Sequence, residues 1–249
     1  MTPPCQLLPW DSEFFGRRIA RLTVSRWDAP LADAVERWCT DERIDLLYFL
    51  ADASHHPTLR LAEERGCRLM DVRVELDAQL PEALRQAMAP PPSQDVRIRL
   101  ARPEDLDGLR GIAAVSHVDS RFFADPGIPA ASARALYVRW IERSVEGVLA
   151  DWVLVGERGR QILGYLTGRR ITDAGGAGEI GLLGVDASAR GAGAGRMLLG
   201  AGMTRFADVG VTSVTVVTQG RNVEAQRLYQ QGGFRTRSLN LWYHKWFRT

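Results

Sequence analysis

The sequence predicts an α/β chain of the mixed α+β kind, and three observations carry that expectation. Short β-branched or apolar runs such as "LLYFLA" and "TSVTVVT" alternate with longer amphipathic stretches, the pattern of strands interleaved with helices. Three consecutive prolines in "MAPPPSQD" interrupt the chain, and proline neither continues a helix nor pairs inside a sheet. A glycine-rich stretch, "RGAGAG", stands between a strand-like and a helix-like run. With 249 residues, 45% hydrophobic and 25% charged, the chain can build a sizeable core, and disorder is disfavoured.

The prolines place a linker at 90–95 between an N-terminal α/β domain, 1–89, and a second domain, 96–249. In the second domain "VRIRL" reads as a strand. "RPEDLDGLRGIAAVS" opens a helix, with Pro103 in its first turn and Glu104 and Asp105 favourable to the dipole. "SARALYVRWIERSV" is a second helix. "DWVLVGE" and "QILGYLTGRRI" read as a hairpin turning at Arg158–Gly159, and "GEIGLLGVD" as a further strand. "RMLLGAGMTRFADVG" is helical, because Leu199, Gly202, Met203 and Phe206 share one face. "TSVTVVT" is a strand, "VEAQRLYQQGG" a helix ended by glycine, and "FRTRSLNLWYHKW" one or two strands.

The first domain faintly echoes the second. At an offset of 167, "ASHHPTLRLAEERGCR" overlies "GRNVEAQRLYQQGGFR", and Arg60, Leu61, Gly66 and Arg68 coincide with Arg227, Leu228, Gly233 and Arg235. Duplication and chance both stay open on that match. The first copy has His55 where the second has Asn222, Ala62 where it has Tyr229, and no glycine loop upstream. The chemistry is therefore expected in the second domain.

Composition excludes several classes. A formal charge of +2 gives no electrostatic case for nucleic acid. Cys5, Cys39 and Cys67 form neither a disulfide framework nor zinc spacing, so no metal is expected and a cytoplasmic setting fits. His55–His56 lacks further ligands for zinc. The N-terminus lacks the basic and apolar regions of a signal peptide. "IDLLYFLA" is far shorter than the ~20 residues of a membrane span. Monomer and homodimer both remain open.

The glycine loop suits an anion. A helix N-terminus leaves backbone N–H groups unpaired and carries partial positive charge, and glycine lets a pyrophosphate approach it. Arg190 and Arg196 add charge. The late position of the loop argues against a dinucleotide fold, and no phosphate-binding G-x-x-x-x-G-K-[ST] is present. A ligand-free turn is the other reading.

The surroundings decide between them. "GLLGVDASARGAGAGRMLL" resembles the acetyl-CoA-binding motif of the Gcn5-related N-acetyltransferases (GNAT), with Arg190, Gly193 and Gly195 at the motif positions. "TQGRNVEAQRLYQQGGF" resembles the family's second motif through Asn222, Tyr229 and Gly233–Phe234. The resemblance covers roughly 96–249. It implies the GNAT fold, with a mixed central sheet splayed between the strands at 179–185 and 213–218, and with the echo at offset 167 the smaller first domain reads as a truncated GNAT half. It implies acetyl-CoA as co-substrate, with its pyrophosphate on the backbone of Arg190, Gly191, Ala192, Gly193, Ala194, Gly195 and Arg196. It implies oxyanion contacts from backbone N–H groups of Leu183, Gly184 and Val185 at a strand bulge, pantetheine contact from Asn222, and Tyr229 as general acid toward the departing thiol. Asn222 as a helix N-cap and Tyr229 as a core tyrosine are the plainer alternatives. Glu179 reads as a water-mediated base or as a strand-end charge.

"LPWDSEFFG", "SRFFADPGIP", "YVRWIERSVEG" and "IGLLGV" extend the resemblance across the chain, to the branch of the family that acetylates the amine of dTDP-4-amino-4,6-dideoxy-galactose. That implies a nucleotide-sugar substrate and a place in cell-surface polysaccharide biosynthesis. Arg121 is then the candidate diphosphate clamp, near His117, Asp119, Phe122, Tyr137 and Trp140. A peptide, polyamine or antibiotic amine, or an acyl-CoA-binding module without turnover, are the rival readings.

Overall fold

The computed structural model describes residues 3–80, 96–171 and 176–247. The linker expected at 90–95 lies outside the described residues. The first segment runs β1 (Cys5–Leu7), α1 (Pro9–Phe15), β2 (Ile19–Leu22), α2 (Ala29–Asp41), β3 (Leu46–Asp52), α3 (His56–Glu64) and β4 (Arg68–Gln79). The second runs β5 (Arg97–Leu100), a 3-10 turn at Pro103–Asp105, α4 (Leu106–Ser116), α5 (Arg121–Ala124), α6 (Ala130–Val145), β6 (Trp152–Arg158) and β7 (Gln161–Ile171). It continues with β8 (Ala177–Val185), α7 (Ala194–Asp208), β9 (Ser213–Gln219), α8 (Val223–Gln231) and β10 (Arg235–Trp246).

The hairpin turns at Gly159–Arg160 rather than Arg158–Gly159. Arg158 still pairs with Gln161, and Gly159 takes the left-handed conformation at φ 60° that the tight turn needs. The final stretch is one strand of 12 residues.

Both segments share one sheet, in the order β1-β2-β3-β10-β4-β9-β8-β7-β6-β5. The faint echo in the sequence becomes a symmetry here. An offset of 167 carries the bounds of β3, α3 and β4 onto those of β9, α8 and β10. Each segment gives its strand to the other: β4 pairs antiparallel with β9, and β10 with β3, in the same register at that offset. β4 and β10 pair with each other about the Arg73↔Asn240 position. Their two register shifts, at Met70 and Arg237, are also related by that offset. A pseudo-twofold axis therefore passes through the middle of the sheet.

The larger buried clusters among the described residues follow from this arrangement. Leu198, Leu199, Met203 and Phe206 of α7 pack on Ile180, Val214 and Val216, while Leu109, Ile112, Leu136 and Ile141 of α4 and α6 cover the strand residues Val153, Val155 and Tyr165. Burying a side chain such as Phe206 contributes about 1.5–3 kcal/mol. The third cluster, around Val35, Cys39 and Phe49, is completed by Tyr243 of β10. The second segment thus closes the core of the first.

Candidate active site

β8 and β9 run parallel from Ala177↔Ser213 to Ile180↔Val216, and there the ladder ends. Opposite Thr167, β8 carries two residues, Gly181 and Leu182, a bulge that turns the strand aside. The Leu182 N–H donates to Thr167 Oγ1 at 2.8 Å. A Cβ on Gly181 would stand 3.0 Å from that oxygen, which accounts for glycine there. The bulge expected at 183–185 is therefore at 181–182. Leu183, Gly184 and Val185 stay in register with Leu166, Tyr165 and Gly164. Glycine at 184 has another cause: a Cβ would meet the Tyr165 ring at 2.8 Å.

The parted strands open a cleft of about 290 Å³. Gly181, Leu182 and Leu183 form one wall, and Val217, Thr218 and Gln219 the other. Asn222, Ala225 and Tyr229 close the cleft from the α8 end. Asn222 caps that helix, its side chain accepting from the Ala225 N–H at 3.1 Å. Gln226 Nε2 ties the first turn to the carbonyls of Gln219 and Gly220 at 3.1 and 3.0 Å. Tyr229 is buried, and burial pushes its phenol above the ordinary range, so the proton stays on oxygen.

The glycine loop lies at the same end of β8. Gly191 and Gly193 have φ of 75° and 86°, and α7 begins at Ala194 with no side-chain cap on its N–H groups. That end is open to an anion through its backbone. Its arginines face elsewhere: Arg190 Nε donates to the Val185 carbonyl at 3.4 Å and Arg196 Nη2 to Gln231 Oε1 at 2.8 Å. Ala194 is buried against Leu163 and Ala189, and a Cβ on Gly195 would meet Leu228 at 3.3 Å. Part of this motif thus serves the packing of α7 on α8.

The other end of the cleft is aromatic and charged. His117 stacks on Tyr137 with ring centroids 4.5 Å apart, and its Nε2 is 2.8 Å from Tyr165 Oη. Desolvation among these rings pulls His117 down to about 4, so it is neutral at pH 7. Arg121 lies 4.0, 4.2 and 4.3 Å from the ring centroids of Tyr48, Phe122 and Trp242. Its Nη1 donates to His244 Nε2 at 2.8 Å, and His244 Nδ1 donates to Asp125. An arginine donor requires a bare Nε2, so His244 is neutral in the Nδ1–H tautomer. Burial likewise holds its pKa low.

Arg121, His117, Phe122, Tyr137 and Trp140 all line the cleft, as their expected grouping required. Asp119 is not among the lining residues. Glu179 pairs with Arg169 at 2.9 Å and lines no part of the cleft. Asp71 and Arg73 of β4 and Trp242 of β10 do line it, and no local pattern marked them. The first segment also reaches the cleft, through Asp71 and Arg73, which the strand exchange carries there. Among the described residues, no group of three or more His, Cys, Asp or Glu could hold a metal, and no helix is long and apolar enough to cross a membrane.

Residues 119–234, which hold the bulge, glycine loop and Tyr229, match the acetyltransferase (GNAT) family. The chain contains a GNAT acetyltransferase domain. This acetyltransferase is 29% identical over 243 residues to the dTDP-fucosamine acetyltransferase of Escherichia coli O6:H1, covering 96% of each chain. It is 30% identical over 193 residues to the mycothiol acetyltransferase of Propionibacterium freudenreichii subsp. shermanii, covering 74% of this chain and 56% of that protein. Two solved structures share the fold. A GCN5-related N-acetyltransferase from Sphaerobacter thermophilus superposes with a TM-score of 0.66 at 18% identity, over 98% of this chain and 76% of that one. A tandem GNAT protein from the clavulanic acid biosynthesis pathway gives 0.63 at 12%, over 94% and 77%.

Proposed function

We propose that this acetyltransferase moves the acetyl group of acetyl-CoA to the amine of a dTDP-linked 4-amino-4,6-dideoxyhexose. The observation that carries the reading is the end-to-end similarity to a dTDP-fucosamine acetyltransferase. It includes the first segment, which supplies Asp71 and Arg73 to the lining of the cleft. In this reading the backbone of residues 190–196 receives the pyrophosphate of the co-substrate, and the β8 wall at Leu183 meets the thioester. Pairing with β7 engages the N–H groups of only alternate β8 residues, and β9 pairs with none beyond Ile180, so Leu183, Gly184 and Val185 all stay in the oxyanion assignment.

The amine nitrogen attacks the thioester carbonyl carbon. The N–C bond forms, the C–S bond breaks, and Tyr229 gives its proton to the departing sulfur. A phenol and a thiol differ by only ~1.5 pKa units in water, and the shared burial of both groups raises both. Arg121, held by three rings and His244, presents a fixed cation to the acceptor's diphosphate. A cytoplasmic location, a homodimer and a role in cell-surface polysaccharide synthesis belong to the same proposal.

Thiol release from acetyl-CoA tests it across an amine panel: dTDP-4-amino- and dTDP-3-amino-dideoxyhexoses, the UDP counterparts, a polyamine and a short peptide. Release with the dTDP-4-amino sugar alone is expected. Release with the polyamine or peptide, and none with the sugars, overturns the substrate while leaving the acetyltransferase.

A further inference from the structure

Resting on the amine reading above, we propose that Asp71 of β4 receives the acceptor's ammonium group and takes its proton before attack. Asp71 is 6% exposed, and its Oδ1 meets no hydrogen-bond partner in the protein. Buried polar atoms are nearly always paired, and an unpaired carboxylate oxygen is costly. An orphaned oxygen in the wall of a ligand cleft marks the place of a ligand's donor. Asp71 lines the same cleft as Tyr229 and is the one carboxylate among its described lining residues.

Nearby acids are already engaged. Asp125 accepts from His244, Trp246 and the Gly127 N–H. Glu75 is paired to Arg73 and Glu179 to Arg169. His117, which shares the cleft, is held by Tyr165.

The groups that face Asp71 come from several elements. Arg221, just ahead of α8, has its Nη2 on the Met70 carbonyl at 3.0 Å. Arg121 of α5 attracts the carboxylate as well, while Asp119 opposes it. Trp242 stands opposite on β10, and Arg73 lies two residues along on the same strand. Burial outweighs Arg221, the hydrogen bond from the Val72 backbone and Arg121, and lifts Asp71 to about 6. A carboxylate of that strength is ionised at neutral pH yet basic enough to accept a proton from an ammonium ion.

The step balances without any further reactant. The ammonium gives one proton to Asp71, which releases it through the cleft to water. The neutral nitrogen then forms the N–C bond as the C–S bond breaks. The second nitrogen proton is lost as the amide forms and restores the one that Tyr229 gives to sulfur. One proton is released per turnover.

The test compares wild type, Asp71→Asn and Asp71→Glu in thiol release with dTDP-4-amino-4,6-dideoxy-galactose between pH 5 and 9. Asp71→Asn keeps the shape and removes the base. A loss of about 10²–10⁴-fold in kcat/KM is expected, with acetyl-CoA affinity retained and thermal stability unchanged or higher. Wild type should show a rise in kcat/KM near pH 6 that Asp71→Asn lacks, and Asp71→Glu should restore part of the rate. Asp71→Asn within about threefold of wild type, with the same rise, overturns the assignment while leaving the amine reading. An equal loss in acetyl-CoA affinity also overturns it, by making Asp71 a support of the donor site. Wild-type inertness toward every amine overturns the amine reading, and Asp71 with it.

Discussion

Replacing Gly184 by alanine tests how firmly the cleft wall is set. The new methyl would stand 2.8 Å from Tyr165 Cε1, 2.9 Å from Cζ and 3.0 Å from Oη. Tyr165 is fully buried on the neighbouring strand and cannot swing into solvent. Overpacking of this kind costs about 1–3 kcal/mol. Moving the ring also strains the 2.8 Å contact between its hydroxyl and His117, worth about 0.5–1.5 kcal/mol. A destabilisation of about 2–4 kcal/mol follows, seen as a fall of about 5–15 °C in melting temperature for a chain of this size. Denaturant titration of Gly184→Ala, Tyr165→Phe and the double variant separates the two effects. Tyr165→Phe removes the hydroxyl in advance, so the alanine should cost about 1 kcal/mol less in that background. A Gly184→Ala protein as stable as wild type would refute the reasoning. Full additivity would show that His117 is undisturbed.

The other predictions concern Tyr229, the bulge and acid. Tyr229→Phe should lower kcat by about 10²–10⁴-fold with acetyl-CoA affinity unchanged in direct titration; equal loss of both would make the residue structural. Thr167→Val leaves the Leu182 N–H without its acceptor and should cost about 1–3 kcal/mol in denaturant titration, with Thr167→Ser recovering most of it. His117 is depressed to about 4 in the fold, against ~6.5 in the unfolded chain. Its contribution is present above that unfolded value and is lost as pH falls toward 4, because only the unfolded chain takes up the proton. Stability should drop by about 2–3 kcal/mol over that window from His117, with His244 acting in the same direction. His117→Asn should flatten the slope.

Much of this was legible because it is local. The face shared by Leu199, Gly202, Met203 and Phe206 is the buried face of α7, and Asn222 caps the helix it was read to begin. The cleft was legible where one stretch of chain builds its wall, as at Asn222 and Tyr229, which both line it. It was not legible where partners lie far apart. Gly181 and Gly184 look alike in a strand, and only Thr167 on β7 decides which one bulges. Asp71 reads as an ordinary strand residue until β4 is known to lie between β9 and β10. Hydrophobic period gives a strand its faces but not its neighbours.

The reciprocal exchange of β4 and β10 bears on how the chain is made. Leu46 pairs with Trp246, and Asp52 with Asn240, roughly two hundred residues away. During synthesis from the N-terminus, β3 and β4 emerge with the slot between them empty. They expose unpaired backbone edges of the kind that recruit foreign strands. The first core also waits for Tyr243. Neither half can mature ahead of the other, so the chain should commit late and as one unit. A ribosome stalled before residue 235 should hold a nascent chain that chaperones still bind and proteases still cut.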